Sequence, residues 1–389
     1  MGRHWVFFAV DAKLSSLRKA LPLRLAESEP VVVVERAVSA VRQPRRWPMH
    51  ARVHGLEYRP FHWPERMPVL GGLSRELNVR RLRRELDRLC PPGPRYVCYD
   101  SPGQAALAGR LHEACTIYLA IDDRTKTVTG TPIPGEEAAE RELLGRVDLV
   151  VCVSEHLAQV LRSRMPAGEP SRFVVVENGF DERLFDPSRK HVEPDGLRNV
   201  PRPRGLVAGH VSERIDWEGV AACRRRLPEV HWVFLGPADP EVIDRVGRMG
   251  AHFRPPVPLA EVPAWIAHCD FGAVPYRLNA FTQASCPLKA LEFMAMGAPV
   301  LATPVPSLLR SPGAVTFVRP GDGSSYASVV ESLIAAGRAP SPPDAAIGRD
   351  YSYAGRLRLF LRAVDGLRAA PGPDAIQAAA EASFERGII

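Results

Sequence analysis

The sequence predicts an α/β protein of two doubly wound domains in tandem. Short apolar runs alternate with amphipathic helical stretches along most of the chain, the pattern of a parallel sheet covered on both faces. At 389 residues the chain is too long for one ordinary core and suits two domains of roughly 150 to 200 residues each. A charged, proline-bearing stretch, DPSRKHVEPDGLRNVPRPRG (Asp186 to Gly205), separates two such series and reads as the connection between them.

Taken in order, the first series predicts strands at His4 to Val10, Pro30 to Glu35, Arg95 to Ser101, Thr116 to Ile121, Leu149 to Ser154 and Phe173 to Glu177. Helices fill the gaps, among them Leu73 to Leu89 and Glu136 to Leu144. Arg42 to Pro68, rich in Pro, Arg and aromatics, reads as irregular loop or short strands. After the Asn178-Gly179 turn and the linker, strands are predicted at Leu206 to Val211, His231 to Leu235, Phe271 to Pro275, Pro299 to Ala302 and Val315 to Val318. Tyr351 to Ile389 reads as two helices broken at Pro371 to Pro373. The predicted organisation is a first domain over 1–186, a linker over 187–204, a second domain over 205–350 and C-terminal helices over 351–389.

With 46% hydrophobic and 24% charged residues, the composition is that of an ordinary soluble globular protein. No apolar run approaches the ~18 residues a membrane span requires. WVFFAV is followed at once by Asp11 and Lys13 instead of a signal cleavage site, so a cytoplasmic protein is expected. The seven cysteines form no CxxC pair and lie mostly in apolar segments, which predicts reduced core fillers. Charge is uneven. The first 90 residues hold 18 of the 51 Lys and Arg but only 9 of the 44 Asp and Glu, so the formal net charge of +7 is an N-terminal property. Such a domain suits an acidic or membrane-surface partner, with solvated arginines as the plainer reading.

Several chemistries are disfavoured. There is no GxxxxGKS or GxxxxGKT phosphate loop, no GxGxxG opening either domain, no HExxH and no GxSxG. No Asp-x-Asp metal motif stands out, and neither a resident cofactor nor a nucleic-acid partner is expected.

The informative stretch is SCPLKALEFMAMGAPVLATPVPS, Ser285 to Ser307. It predicts a helix with Ser285 as N-cap, Pro287 in the first turn and Gly297 as the stop, followed by a short strand. Lys289 in that first turn opposes the helix dipole by a few tenths to about 1 kcal/mol unless an anion is also there. Free N–H groups and the ammonium together form a seat for a phosphate or diphosphate. Glu292, three residues on, shares the Lys289 face and can accept hydrogen bonds from ribose or hexose hydroxyls. A plain Lys-Glu surface pair is the alternative. In GHVSERIDWEG (Gly209 to Gly219) a strand ends in a turn carrying Ser212 and Arg214 ahead of a helix, again directing donors toward an anion.

These segments resemble the group 1, family 4-like glycosyltransferases of GT-B architecture, over roughly residues 95 to 335. The strongest part is VPYRLNAFTQASCPLKALEFMAMGAPVLATPVPS (Val274 to Ser307), which is similar to that family's donor-binding helix and following strand. GHVSERID, HWVFLGP, IDDRTKT and ENGFDERLF resemble its other segments. The resemblance implies a metal-independent transferase moving a sugar, of hexosyl type, from a nucleoside-diphosphate sugar, UDP-linked by preference, to a hydroxyl acceptor. By it Lys289, Arg214 and Ser212 hold the diphosphate, Glu292 the ribose or sugar hydroxyls, and Tyr276 lines the donor pocket. The family's second glutamate, eight positions before Glu292, is Ala284 here, which leaves the sugar and the stereochemistry open.

Asp122 and Asp123 close a predicted strand at its carboxyl end, similar to where related inverting transferases present a base. Two adjacent carboxylates can have one pKa raised, which suits that role, and Asp123 is slightly preferred. His156 and His210 are weaker candidates. By the same resemblance the first domain holds the acceptor, and there Arg45 to Pro68 mixes arginines with Trp47, Tyr58, Phe61 and Trp63 in a way that suits an anionic membrane face. A lipid-linked saccharide and a soluble metabolite or natural product both remain as acceptors. A GT-B sugar-nucleotide epimerase and an inactive transferase-like subunit are the alternatives from other classes.

Overall fold

The computed structural model describes residues 2–9, 17–36, 45–50, 53–58, 68–90, 92–165, 172–311, 315–337 and 345–369. The chain forms two compact units. One takes the chain up to Thr125, Ile133–Val176 and the chain from Arg356 onward, and the other takes Lys126–Pro132 and Glu177–Gly355.

The first unit is built on an eight-stranded sheet. Its strands are β1 (His4–Ala9), β2 (Val31–Arg36), β3 (Arg45–His50), β4 (Val53–Tyr58), β5 (Arg95–Tyr99), β6 (Glu113–Ala120), β7 (Leu149–Cys152) and β8 (Arg172–Val175). The spatial order is β3-β4-β2-β1-β5-β6-β7-β8, with every neighbouring pair parallel except β3 and β4. The chain starts in the middle, runs to one edge and returns to β5, so the order reverses between β1 and β5. Trp5 on β1 packs against Tyr96 and against Phe360 of the Tyr353–Ala369 helix, with ring centroids 4.9 and 5.5 Å away. That helix, expected as part of a separate tail, thus buries its apolar face on the first unit. The Pro371 to Pro373 break lies outside the described residues. The Arg42 to Pro68 region contains the β3–β4 antiparallel pair. Arg45, Arg46 and Trp47 fall on β3 and Tyr58 on β4, whereas Arg52, Phe61 and Trp63 lie outside the described residues.

The second unit has a six-stranded, wholly parallel sheet. Its strands are β9 (Arg204–Ala208), β10 (His231–Leu235), β11 (His252–Arg254), β12 (Phe271–Val274), β13 (Val300–Ala302) and β14 (Val315–Phe317). The order β11-β10-β9-β12-β13-β14 is that of a dinucleotide-type doubly wound sheet, reversing between β9 and β12. Alternate residues go to opposite faces. Leu206, Ala208, Val233 and Leu235 enter one core cluster, and Val207, Trp232 and Phe234 the other. Both faces are therefore covered, which is why these strands read as continuous apolar runs. The segment expected as a linker belongs to this unit, with Leu197 and Val200 buried in its first cluster, and so do Phe180 and Phe185 just before it. All seven cysteines are free and buried.

Candidate functional site

The second sheet reverses direction where β9 and β12 end side by side, and the two turns that follow them are laced together. Asp216 N donates to Pro275 O at 2.7 Å, Arg277 N donates to Arg214 O at 2.8 Å, and Ile215 bridges Tyr276. The turn after β9 is also tied to the end of β10, through Gly209 N to Leu235 O at 2.9 Å and Val211 N to Pro237 O at 2.9 Å. Gly209 (φ +111°) and Gly236 (φ +143°) meet there, and a Cβ on Gly236 would collide with the Gly209 carbonyl. Only glycine allows that approach.

Three cationic or donor side chains gather at this turn. A Cβ built on Gly209 would lie 3.6 Å from the Lys289 side chain and 3.9 Å from an Arg214 Nη. Arg214 lies over the Tyr276 ring, 4.9 Å from its centroid, and donates to His210 O at 3.1 Å. Its Nε and the Ser212 Oγ are buried without a hydrogen-bond partner. Unpaired buried donors cost about 1 to 3 kcal/mol each and call for an explanation. Burial of its ring and the Arg214 charge together hold His210 below the ordinary imidazole range.

Lys289 is carried by the Leu288–Ala295 helix. The helix is seated on the sheet by Phe293, whose ring occupies the space a Cβ on Gly272 of β12 would need. Gly297, at φ +64°, provides the expected stop. The helix start differs from the sequence reading. Ser285 closes the preceding Ala280–Ala284 helix, donating from Oγ to Thr282 O at 2.7 Å, and Pro287 takes the N-cap position with no side-chain cap. The proline ring disfavours the helical conformation at the residue before it, Cys286, so the helix begins after Pro287 and not after Ser285. The Ser285–Pro287 corner is pinned from two sides, by Asn178 Nδ2 to Cys286 O at 2.7 Å and Ser307 Oγ to Ser285 O at 2.9 Å. Lys289 Nζ pairs with Glu292 Oε2 at 2.6 Å, but their side chains are only 14% and 1% exposed. This is a buried pair, not a surface one. Burial pushes the Glu292 carboxyl up, and the Lys289 charge acts against that shift. An ammonium carries three donors, so Lys289 can hold Glu292 and a second acceptor together. Tyr276 is buried, with its N–H bonded to Thr303 Oγ1 at 3.0 Å. Ala284, where the resembling family has a glutamate, is fully buried.

In the first unit Asp122 and Asp123 follow β6 at its carboxyl end, as expected. The two differ. Asp122 is half-buried. Asp123 is 2% exposed and receives Arg164 at both oxygens (3.0 and 2.9 Å) and Thr125 through N at 3.1 Å and Oγ1 at 2.6 Å. Burial acts to raise its pKa, but the Arg164 and Thr125 contacts outweigh it and hold the carboxyl below the ordinary range. The expected raised pKa therefore does not arise at Asp123. Sequence reasoning missed the rest of this network: Arg164 also binds Glu140 at 2.6 Å, and Glu140 accepts from Tyr118 Oη at 2.9 Å. His156 sits half-buried in the first turn of the Glu155–Arg164 helix. Among the described residues no group of three or more His, Cys, Asp or Glu is placed to hold a metal ion.

The fold defines a class. Two doubly wound α/β sheets with these reversals are the GT-B architecture, and solved structures agree. The chain aligns with sucrose-phosphate synthase from Thermosynechococcus elongatus at TM-score 0.66 and 16% identity, covering 99% of this chain and 98% of that one. It aligns with Anabaena HepE, solved with UDP and glucose, at TM-score 0.64 and 16% identity, covering 93% and 99%. Residues 213–336 match the model of the family described as glycosyl transferases group 1. Arg214, Tyr276, Lys289 and Glu292 all fall inside that match. A Bacillus subtilis (strain 168) protein, TuaH, described as a candidate teichuronic acid biosynthesis glycosyltransferase, is 27% identical over 179 residues. The match spans 44% of this chain and 44% of the relative's length. No helix among the described residues is long and apolar enough to cross a membrane.

Proposed function

We propose that the protein is a glycosyltransferase that moves a sugar, of hexosyl type, from a nucleoside-diphosphate sugar to a hydroxyl acceptor. The observation that carries this reading is the meeting of Lys289, Arg214 and Ser212 at the β9 turn, with Arg214 Nε and Ser212 Oγ buried and unpaired. Those donors suit the two phosphates of the donor and the charge that grows on the leaving diphosphate, a preorganised stabilisation worth about 3 to 4 kcal/mol per contact. The Tyr276 ring lies beneath the Arg214 guanidinium, and Glu292 sets the Lys289 ammonium while accepting from a donor hydroxyl. Two cations and a helix start neutralise the diphosphate without a divalent ion, so transfer is metal-independent in this reading. UDP is the proposed nucleotide.

For the base we propose Asp122, because its neighbour Asp123 is consumed by Arg164 and held at low pKa. The likeness to a teichuronic acid transferase supports a saccharide acceptor in surface-polysaccharide synthesis. A lipid-linked form of it, met at the cytoplasmic membrane face through the basic residues 1–90, is the finer proposal. Titrating the protein with UDP, then assaying UDP release from UDP-sugars with and without saccharide acceptors, tests the reading. UDP binding that Arg214→Ala weakens at least tenfold is expected, whereas binding indifferent to Arg214 and Lys289 would exclude the assigned site.

A further inference from the structure

A second polar cavity lies in the first unit, at the opposite end of β6 from Asp122. It has a volume of about 360 Å³ and is lined by Arg83, Arg110, Arg146, His112, Glu113 and Asp148, among others. Glu113 opens β6 and Asp148 immediately precedes β7, so the cavity sits at the amino ends of these strands. At ~3.3 Å per residue, Glu113 is about 30 Å along the strand direction from Asp122, nine residues on.

The carboxylates and the cations of this cavity are engaged differently. Glu113 is fully used inside the fold, accepting from Tyr99 Oη at 2.6 Å, Gly109 N at 2.9 Å and Leu111 N at 2.7 Å. Its last two contacts hold the loop in which His112 adopts φ +59°, a left-handed conformation in a residue that is not glycine, on the cavity wall. Asp148 uses Oδ2 for Thr116, at 2.8 Å to N and 2.7 Å to Oγ1, while its Oδ1 has no partner among the described residues. Arg110 pairs with Glu76, and Arg146 with Glu142 at 2.7 Å. Arg83 has no ion-pair or hydrogen-bond partner among the described residues. Among the described residues the cavity therefore offers one unpaired guanidinium, two more guanidiniums with spare N–H groups and one carboxylate oxygen without a partner.

We propose that this cavity is a second binding site, for a small acidic sugar: a hydroxylated ring bearing a phosphate or a carboxylate. The guanidiniums take the acid group in the planar, paired fashion that arginine favours. Asp148 Oδ1 accepts from a ring hydroxyl, a contact that an inorganic anion cannot make and that Asp148 would repel. The volume lies at the small end of the ~300 to 1,000 Å³ usual for small-molecule sites, which suits a monosaccharide and excludes a nucleotide sugar.

Calorimetric titration of the full chain with glucose 6-phosphate, glucuronate, inorganic phosphate and glucose tests this. Binding of glucose 6-phosphate or glucuronate is expected, tighter than phosphate by tenfold or more, with no heat from glucose; which of the two binds identifies the acid group. Arg83→Gln and Arg146→Gln together should weaken it at least tenfold, and Arg214→Ala, in the proposed donor site, should leave it unchanged. The proposal is overturned if neither acidic sugar binds by about 10 mM, if phosphate binds as tightly, if the Arg83 and Arg146 variants bind normally, or if Arg214→Ala abolishes the heat. Arg83 makes no ion pair or hydrogen bond among the described residues, so the single Arg83→Gln variant keeps the test interpretable should the double variant fold poorly.

Discussion

Replacing Lys289 by alanine exposes what the buried pair does, because it leaves Glu292, 1% exposed, without the ammonium 2.6 Å away. Removing one partner of a buried ion pair costs about 3 to 5 kcal/mol, since the remaining charge is uncompensated. Burial already pushes the Glu292 carboxyl up, and Lys289 is what opposes it, so the variant's carboxyl rises further. A raised native pKa means the folded state holds the proton more tightly than the unfolded chain. The cost is therefore absent below the unfolded carboxyl range of about 4.3 and grows as pH climbs through the raised native value. Urea denaturation of wild type and Lys289→Ala should show a deficit of about 3 to 5 kcal/mol near pH 8 that shrinks toward pH 5. Adding Glu292→Gln should restore most of the stability, since an amide needs no counter-charge. The double variant then isolates function: its UDP affinity should fall about 10- to 100-fold, the worth of one charged hydrogen bond. A deficit independent of pH, or a stable double variant with wild-type UDP affinity, would refute the reasoning.

Tyr276→Ala removes the ring beneath Arg214, 4.9 Å from its centroid, and should raise donor KM by the ~0.5 to 2 kcal/mol of a cation–π contact, while Tyr276→Phe stays near wild type. Transfer measured as UDP release should persist in excess EDTA; strict loss restored by manganese would remove the two-cation reading. Asp122→Asn should lower turnover about 100-fold or more with donor affinity unchanged, and near-normal turnover would take Asp122 out of the mechanism. Asp123→Asn should act on stability instead. Its native pKa is depressed, so its contribution is present above the unfolded carboxyl range and lost as pH falls through the native value, and the variant should lose the wild type's acid-induced step in denaturation midpoint.

The sheets were legible wherever strands are buried on both faces. His231–Leu235 matches its predicted bounds, and each other predicted strand is present within a few residues, because a doubly covered strand is an uninterrupted apolar run. Strands without that signature were hidden. β11 is three residues, HFR, half-buried at a sheet edge, and offers no run to detect. β3 and β4 were half legible: their Pro- and Arg-rich segment reads equally as irregular loop or short strands, and the antiparallel pairing decides for strands. The contact boundary precedes the linker for a similar reason: Phe180 and Phe185 read as isolated apolar residues in a polar stretch until the second core receives them.

The site divides along the same line. Lys289 announced itself because its conflict with the helix dipole is local, and Glu292, Ser212, Arg214 and Tyr276 are likewise placed by turns and helix starts close to them in sequence. Even there Ser285 could serve the end of one helix or the start of the next, and its bond to Thr282 O, with Pro287 disfavouring a helical Cys286, places it at the end of the first. Asp122 and Asp123 are different in kind. They are adjacent and chemically identical, and what separates them is Arg164, 41 residues away, held in turn against Glu140. No local pattern can encode which of two neighbouring carboxylates a distant guanidinium will claim. The donor half of the proposed reaction therefore rests on geometry that short segments specify. The base rests on a buried network whose members meet only when the sheet forms, so substitutions at Glu140, Arg164 or Tyr118 should disturb the Asp122 segment although none of them was visible as a partner in the sequence.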